Sequence, residues 1–132
     1  MDFPLESIHK ASFKAHAASN CANDQGKYWE MHDKIFENNR AISPDDLVKS
    51  AETIGLDIAV FKECLDGGKY TAEIRNDISE GQKAGVRGTP SFVLGLTDPK
   101  DTTKFKATKF IRGAQGFSGF KAAIDELLSV KK

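Results

Sequence analysis

Cysteine is scarce in this 132-residue chain, long apolar runs are absent, and neither sign of charge prevails. Each shortage excludes something. Two cysteines, Cys21 and Cys64, are too few to identify a redox compartment, and 43 positions apart they form no Cys-x-x-Cys pair. No apolar stretch approaches the roughly 20 residues that a membrane helix needs, so no membrane span is expected. Met1-Asp2-Phe3-Pro4-Leu5 has neither the basic leader nor the apolar stretch of a signal peptide, so export of these residues as given is not expected either. Nineteen Lys and Arg balance nineteen Asp and Glu, which argues for no polyanionic partner and no nucleic acid. The three histidines, His9, His16 and His32, have no acidic or cysteine partners at a recognisable metal spacing and no nucleophile beside them. No metal or cofactor is therefore expected. His32, on the apolar face of a helix, reads as a packing residue.

What is present suits a folded domain. Hydrophobic residues make up 39% of the chain and charged residues 29%, ordinary values for a soluble globular protein. The length fits one domain with a sizeable core. Up to residue 85 the patterning is helical. Ala11, Ala15, Ala18 and Ala22 recur three and four apart in a helix expected over Glu6–Asn23, ended by Asp24-Gln25-Gly26. Tyr28, Met31, His32 and Ile35 line one face of a second helix, flanked by Trp29 and Phe36. Ser43-Pro44-Asp45-Asp46 is a strong helix start: a capping serine, a proline in the first turn, and acids at the positive end of the helix dipole. Leu47, Val48, Ala51 and Ile54 give that helix its inner face and Gly55 ends it. Asp57 caps a fourth helix carrying Val60, Phe61, Cys64 and Leu65, which Gly67-Gly68 stops. A fifth runs from about Lys69 to Ala84 with Tyr70, Ile74 and Ile78 four apart.

Then the period changes. Ser91–Leu94 is a short apolar run between Pro90 and Gly95, with the length and flanks of a strand. Asp98-Pro99-Lys100-Asp101 is turn chemistry. Lys104–Arg112 alternates as the second strand of a hairpin, with Phe105, Ala107, Lys109 and Ile111 on one side. Lys100, Lys104, Lys106, Lys109 and Arg112 make the hairpin basic, which reads as lysine protection of an exposed edge rather than as a polyanion site. Ser118 is expected to cap a last helix with Phe120, Ile124, Leu127 and Leu128 facing inward. Two strands, with a stub at Asp2-Phe3 as a third, make a small sheet for six helices. The two cysteines fall in different helices and three states stay open for them: a structural disulfide, a reactive pair, or two buried thiols. A bridge closing a loop this long would add about 4 kcal/mol in the chain-entropy model.

The most informative string is Gly85-Val86-Arg87-Gly88-Thr89-Pro90-Ser91-Phe92-Val93. A helix ends on glycine, a second glycine loosens the backbone, and a Thr-Pro bond enters a strand. Proline cannot donate to a sheet ladder, so Pro90 belongs at the first residue of the strand or on an edge. Gly88-Thr89-Pro90-Ser91-Phe92 resembles the cis-proline loop of thioredoxin-fold proteins. The stretch from Ala22 to Phe36, then Ser43–Leu47, Gly55–Asp57 and Phe61–Tyr70, resembles the helical insertion of DsbA-like thiol:disulfide oxidoreductases. The order matches throughout, and Gly113-Ala114-Gln115 before an amphipathic helix is also similar to that family.

The resemblance implies an α/β, thioredoxin-like fold with a helical insertion, truncated at the N-terminus and mostly helical. Residues 6–85 would be the insertion, and 86–132 the C-terminal hairpin and helix of the thioredoxin core. In the family the residue before the cis-proline lends its backbone to a passing peptide. That role falls on Thr89, with Gly88 and Pro90 beside it as substrate-binding residues. Partners would be protein or peptide thiols and disulfides, in a periplasmic or extracytoplasmic setting for a full-length parent, with a cytoplasmic one also open. The family's first strand and its Cys-x-x-Cys motif should precede Asp2-Phe3. The low-pKa thiolate of that motif is the family's chemistry. Cys21 and Cys64 match the insertion instead, so no catalytic residue is assigned here, and the expected chain is a thiol–disulfide oxidoreductase domain that is inactive alone. Two other classes stay open: a non-catalytic peptide-binding module, and a glutathione-using isomerase or transferase of the same fold. An uncovered strand edge at Ser91–Leu94 leads to an expectation of homodimers or strand exchange.

Overall fold

A computed structural model describes residues 1–129 and contains, among them, α1 (Ser12–Asn23), α2 (Tyr28–Glu37), α3 (Pro44–Thr53), α4 (Ile58–Asp66), α5 (Thr71–Lys83), β1 (Ser91–Thr97), β2 (Phe105–Arg112) and α6 (Phe117–Ser129). The chain divides after Gly85 into two compact units. No described helix is long and apolar enough to cross a membrane.

The first unit is all helical. Its best-specified start is that of α3. The Ser43 hydroxyl accepts from the Asp46 N–H at 3.3 Å, the Asp46 carboxylate accepts from the Ser43 N–H at 3.3 Å, and Pro44 follows the cap. Asp57 caps α4 by accepting from the Val60 N–H at 3.1 Å. Three other boundaries move from where the pattern put them. α1 begins at Ser12 rather than Glu6, because the Ile8 and His9 N–H groups both turn back to the Leu5 carbonyl and close a separate turn. α5 covers Thr71–Lys83, with Lys69 and Tyr70 left in the turn before it. The stub at Asp2-Phe3 is not a strand. Asp2 instead donates its N–H to Asp77 at 2.7 Å and accepts from Asn20 at 2.8 Å, tying the first residues to α5 and α1.

The helices close around one core. Ala15, Ala18 and Ala22 of the alanine stripe are buried, and Phe61, Met31, Leu47, Leu65, Ile74 and Cys21 are its largest fully buried side chains. The small residues let α1 approach its neighbours closely, and Phe61 and Leu47 fill the space between. Burying a side chain of that size contributes about 1.5–3 kcal/mol. Outside this core, α2 carries an exposed row of rings. Trp29 and Phe36 are about two-thirds exposed, with His32 packed between them at 5.3 and 4.7 Å.

The second unit is a hairpin and a helix. β1 and β2 pair antiparallel, with Ser91 opposite Arg112 and Thr97 opposite Phe105. β1 runs on to Thr97, three residues past the expected Leu94, because Gly95 is a bulge and not a stop. The register slips between Leu94 and Gly95, and a Cβ at Gly95 would lie 2.1 Å from the Lys106 carbonyl oxygen. Only glycine lets the strands stay paired there. Phe92 meets Phe120 edge to face at 4.9 Å. α6 starts at Phe117 and places Ser118 inside the helix, not at its cap; the Gly116 carbonyl takes the first N–H groups, from Gly119 and Phe120. On its inner side Ala123 is buried and Phe120 and Leu127 are half-buried, whereas Ile124 and Leu128, expected inward, are exposed.

Candidate functional site

Two places in the molecule combine reactive or polar groups with local design. They lie in different units.

The first is the loop into β1. The Thr89–Pro90 peptide bond is cis. Pro90 precedes the first ladder residue, and its carbonyl accepts from the Gly113 N–H at 2.9 Å, so the loop is anchored to the far end of β2. The Ser91 hydroxyl donates to the Gly88 carbonyl at 2.6 Å and closes the turn from the other side. Between these two anchors sits Thr89. It is exposed, and among the described residues neither its N–H nor its carbonyl has a hydrogen-bond partner. A rigidly held, unpaired peptide group at a strand entry suits backbone pairing with an extended peptide.

The second is the cysteine pair. Cys21 near the end of α1 and Cys64 in α4 are joined as a disulfide, with Cα atoms 5.9 Å apart. The bond rules out two free thiols and leaves a structural disulfide or a reactive pair. Both half-cystines are buried, Cys21 at 1% exposure and Cys64 at 8%. Three polar residues cluster beside the bridge. Asp24, one turn beyond Cys21, places Oδ2 3.7 Å from the Cys64 sulfur. The same oxygen accepts from Lys69 at 2.8 Å, and Oδ1 accepts from the Tyr70 hydroxyl at 2.7 Å. Local backbone geometry puts them there. Gly68 has φ +66°, a left-handed value that lets the Lys69 N–H return to the Cys64 carbonyl at 3.1 Å. Lys69 and Tyr70 then leave the turn toward Asp24. The hydrogen bonds from Lys69 and Tyr70 hold the Asp24 carboxyl below the ordinary carboxylate range. In return the bond to Asp24, helped by burial, pushes the Tyr70 phenol up to about 12.

Sequence reading singled out Gly88, Thr89, Pro90, Cys21 and Cys64, and missed Asp24, Lys69 and Tyr70. A signal existed: an acid three residues after one cysteine, and a Lys-Tyr pair behind the glycine stop that follows the other.

Elsewhere charges are paired locally. His16 Nδ1 lies 2.6 Å from Asp2, and His32 lies 3.0 Å from Asp33. Burial raises the Asp2 pKa, but the hydrogen bonds from His16 and Asn20 outweigh it and hold the group low. On the basic hairpin Lys104 pairs with Asp101, Lys109 pairs with Glu126, and Arg112 lies over the Phe110 ring.

A helical unit, a hairpin entered through a Thr-Pro bond, and a closing helix define a thioredoxin-type domain with extra helices. The sequence profile of the DSBA-like thioredoxin domain matches residues 1–125, and the chain belongs to that family. Curated relatives carry another kind of name. A Salinispora tropica protein named Na(+)/H(+) antiporter NhaA 3 is 34% identical over 91 residues, 69% of this chain and 14% of that protein. A Salinispora arenicola protein named Na(+)/H(+) antiporter NhaA 1 is 35% identical over the same shares. A Herminiimonas arsenicoxydans protein named Na(+)/H(+) antiporter NhaA is 30% identical over 58% of this chain and 12% of that protein. The chain thus matches about a seventh of the length of these relatives, whose named activity is theirs.

Proposed function

We propose that this domain takes part in thiol–disulfide exchange on protein thiols, and that its own contribution is substrate docking rather than redox chemistry. The observation that carries the reading is the exposed, unpaired Thr89 backbone, fixed between the Ser91–Gly88 and Gly113–Pro90 hydrogen bonds. An extended peptide would align there with a cysteine near Pro90, and Gly88 leaves room for its side chains. In this reading residues 6–85 are the helical insertion and residues 86–132 belong to the thioredoxin core. The Cys21–Cys64 bridge is structural, because both half-cystines are buried in the core of the helical unit.

The test is exchange activity of the chain beside a Cys21→Ser/Cys64→Ser double variant, together with amide shifts on adding a cysteine-containing peptide. The expected result is no exchange by either protein, with shifts centred on Gly88–Ser91. Exchange by the wild type that disappears in the double variant would make the bridge the redox site and overturn the reading. Shifts that avoid the loop would remove its docking half. The same loop would serve a non-catalytic peptide-binding module, a reading favoured by shifts at Gly88–Ser91 as strong with a cysteine-free peptide as with the cysteine-containing one. The outer edge of β1, unpaired among the described residues, would also allow strand exchange between chains, and a monomeric mass at high concentration would refute it.

A further inference from the structure

A domain that handles thiols and disulfides carries a hazard: its structural bridge is chemically the same as its substrates. Cys64 is the more accessible half of the bridge, at 8% exposure against 1% for Cys21. On the Cys64 side the Asp24 carboxylate lies 3.7 Å from the sulfur. That carboxylate is held in place from both ends by Lys69 and Tyr70. We infer that Asp24, oriented by Lys69 and Tyr70, is an electrostatic guard that repels incoming thiolates from the Cys64 sulfur and keeps the Cys21–Cys64 bridge out of exchange.

Opening the bridge requires a thiolate to attack one sulfur. A new S–S bond forms to it, the Cys21–Cys64 bond breaks, and the electron pair leaves on the other cysteine. With a monothiol a second thiolate resolves the mixed disulfide. The two reductant molecules together lose two electrons and end as their own linear disulfide, and their two thiol protons end on Cys21 and Cys64. The attacking species is an anion, so a fixed negative charge in contact with the target sulfur raises the barrier to its approach. Lys69 moderates that field while fixing its source. The hydrogen bonds that hold Asp24 also keep it ionised through the neutral range, so the guard is charged whenever thiolates are present.

The sign of this effect makes it testable. Asp24→Asn keeps the shape and removes the charge, and its one amide oxygen still accepts from either Lys69 or Tyr70, not from both. Lys69→Met keeps a long apolar stem and leaves the carboxylate unneutralised. The readout is the rate at which the bridge of the folded protein opens, followed by thiol labelling and mass, with two probes: anionic 2-mercaptoethanesulfonate and cationic cysteamine. A unit charge about 4 Å away in water corresponds to about a fivefold change in rate. Asp24→Asn should therefore open about fivefold faster with the anionic probe and less so with the cationic one, and Lys69→Met should open more slowly with the anionic probe. In denaturant all three proteins should react alike. Equal acceleration with both probes would mean that Asp24 acts only by holding the turn shut, and would overturn the guard, as would unchanged rates. If Asp24→Asn does not fold, the opposite sign expected of Lys69→Met decides alone. The inference rests on the bridge being structural. That premise is tested by the exchange activity of the double variant, whereas the probe ratio is read on the bridge itself, so the two fail separately.

Discussion

The two units of this chain are built to different standards. In Met1–Gly85 five helices enclose a continuous core, two of them with side-chain caps, and a disulfide crosslinks α1 to α4. From Val86 onward, Ala123 is the one buried hydrophobic residue among those described, and Phe92, Val93, Phe117, Ile124 and Leu128 are exposed. Helical contacts close over short sequence distances, and α1 brings small residues that pack without a large partner. A single hairpin under one helix cannot enclose its own apolar faces. The loop proposed to dock a peptide belongs to this lighter unit. On that proposal stability and recognition are carried by different stretches of chain, and substitutions should separate them.

The largest expected effect is Phe61→Ala, which empties the centre of the helical core and should cost about 3–5 kcal/mol, measured by urea unfolding followed by circular dichroism. Next is Cys21→Ser/Cys64→Ser, expected to cost up to about 4 kcal/mol by releasing a long loop in the unfolded chain. A wild-type unfolding midpoint for either would break the picture of a core that holds the first unit. Ser43→Ala removes one cap and should cost about 1 kcal/mol. Leu128→Ala, on the outer face of α6, should change stability by less than about 0.5 kcal/mol. A large loss there would show that the second unit relies on a face now seen as exposed.

The pH response bears on the same contrast, because Asp2, Asp24 and Asp46, all with lowered pKa, are in the helical unit and Asp101 is their counterpart in the hairpin. Asp24 has a folded pKa below its unfolded value. Its stabilisation is complete above the unfolded value of about 3.9 and is lost as pH falls through the lower folded value. Tyr70 has the opposite sense. Raised to about 12, it contributes stability below about 10 that is lost as pH climbs toward 12. Acid and alkaline titrations of unfolding should be flatter in Asp24→Asn and Tyr70→Phe respectively than in the wild type.

Much of the fold was legible because local chemistry and tertiary need agree. Ser43-Pro44-Asp45-Asp46 and Asp57 start helices wherever they are placed, and the order of motifs from Ala22 to Gln115 marks the family. What was not legible depends on contacts between distant residues. Glu6 looks helical, yet Leu5 spends its carbonyl on a separate turn. Gly95 reads as a strand end until the Lys106 carbonyl is seen against it. Ile124 and Leu128 have the spacing of an inner face, but that face is decided by where the hairpin lies. The sulfur pairing and the Asp24 cluster likewise need α1, α4 and the Gly68 turn to meet.

The row of rings on α2 has an optical consequence. Trp29 is the chain's single tryptophan and is 68% exposed in the folded state. Its indole already sees water, so its emission maximum should move little on unfolding. Intensity is the more informative channel, because the neighbouring His32 imidazole at 5.3 Å is in reach to quench it and is carried away when α2 melts. A spectroscopist following wavelength alone would judge this protein half unfolded from the start.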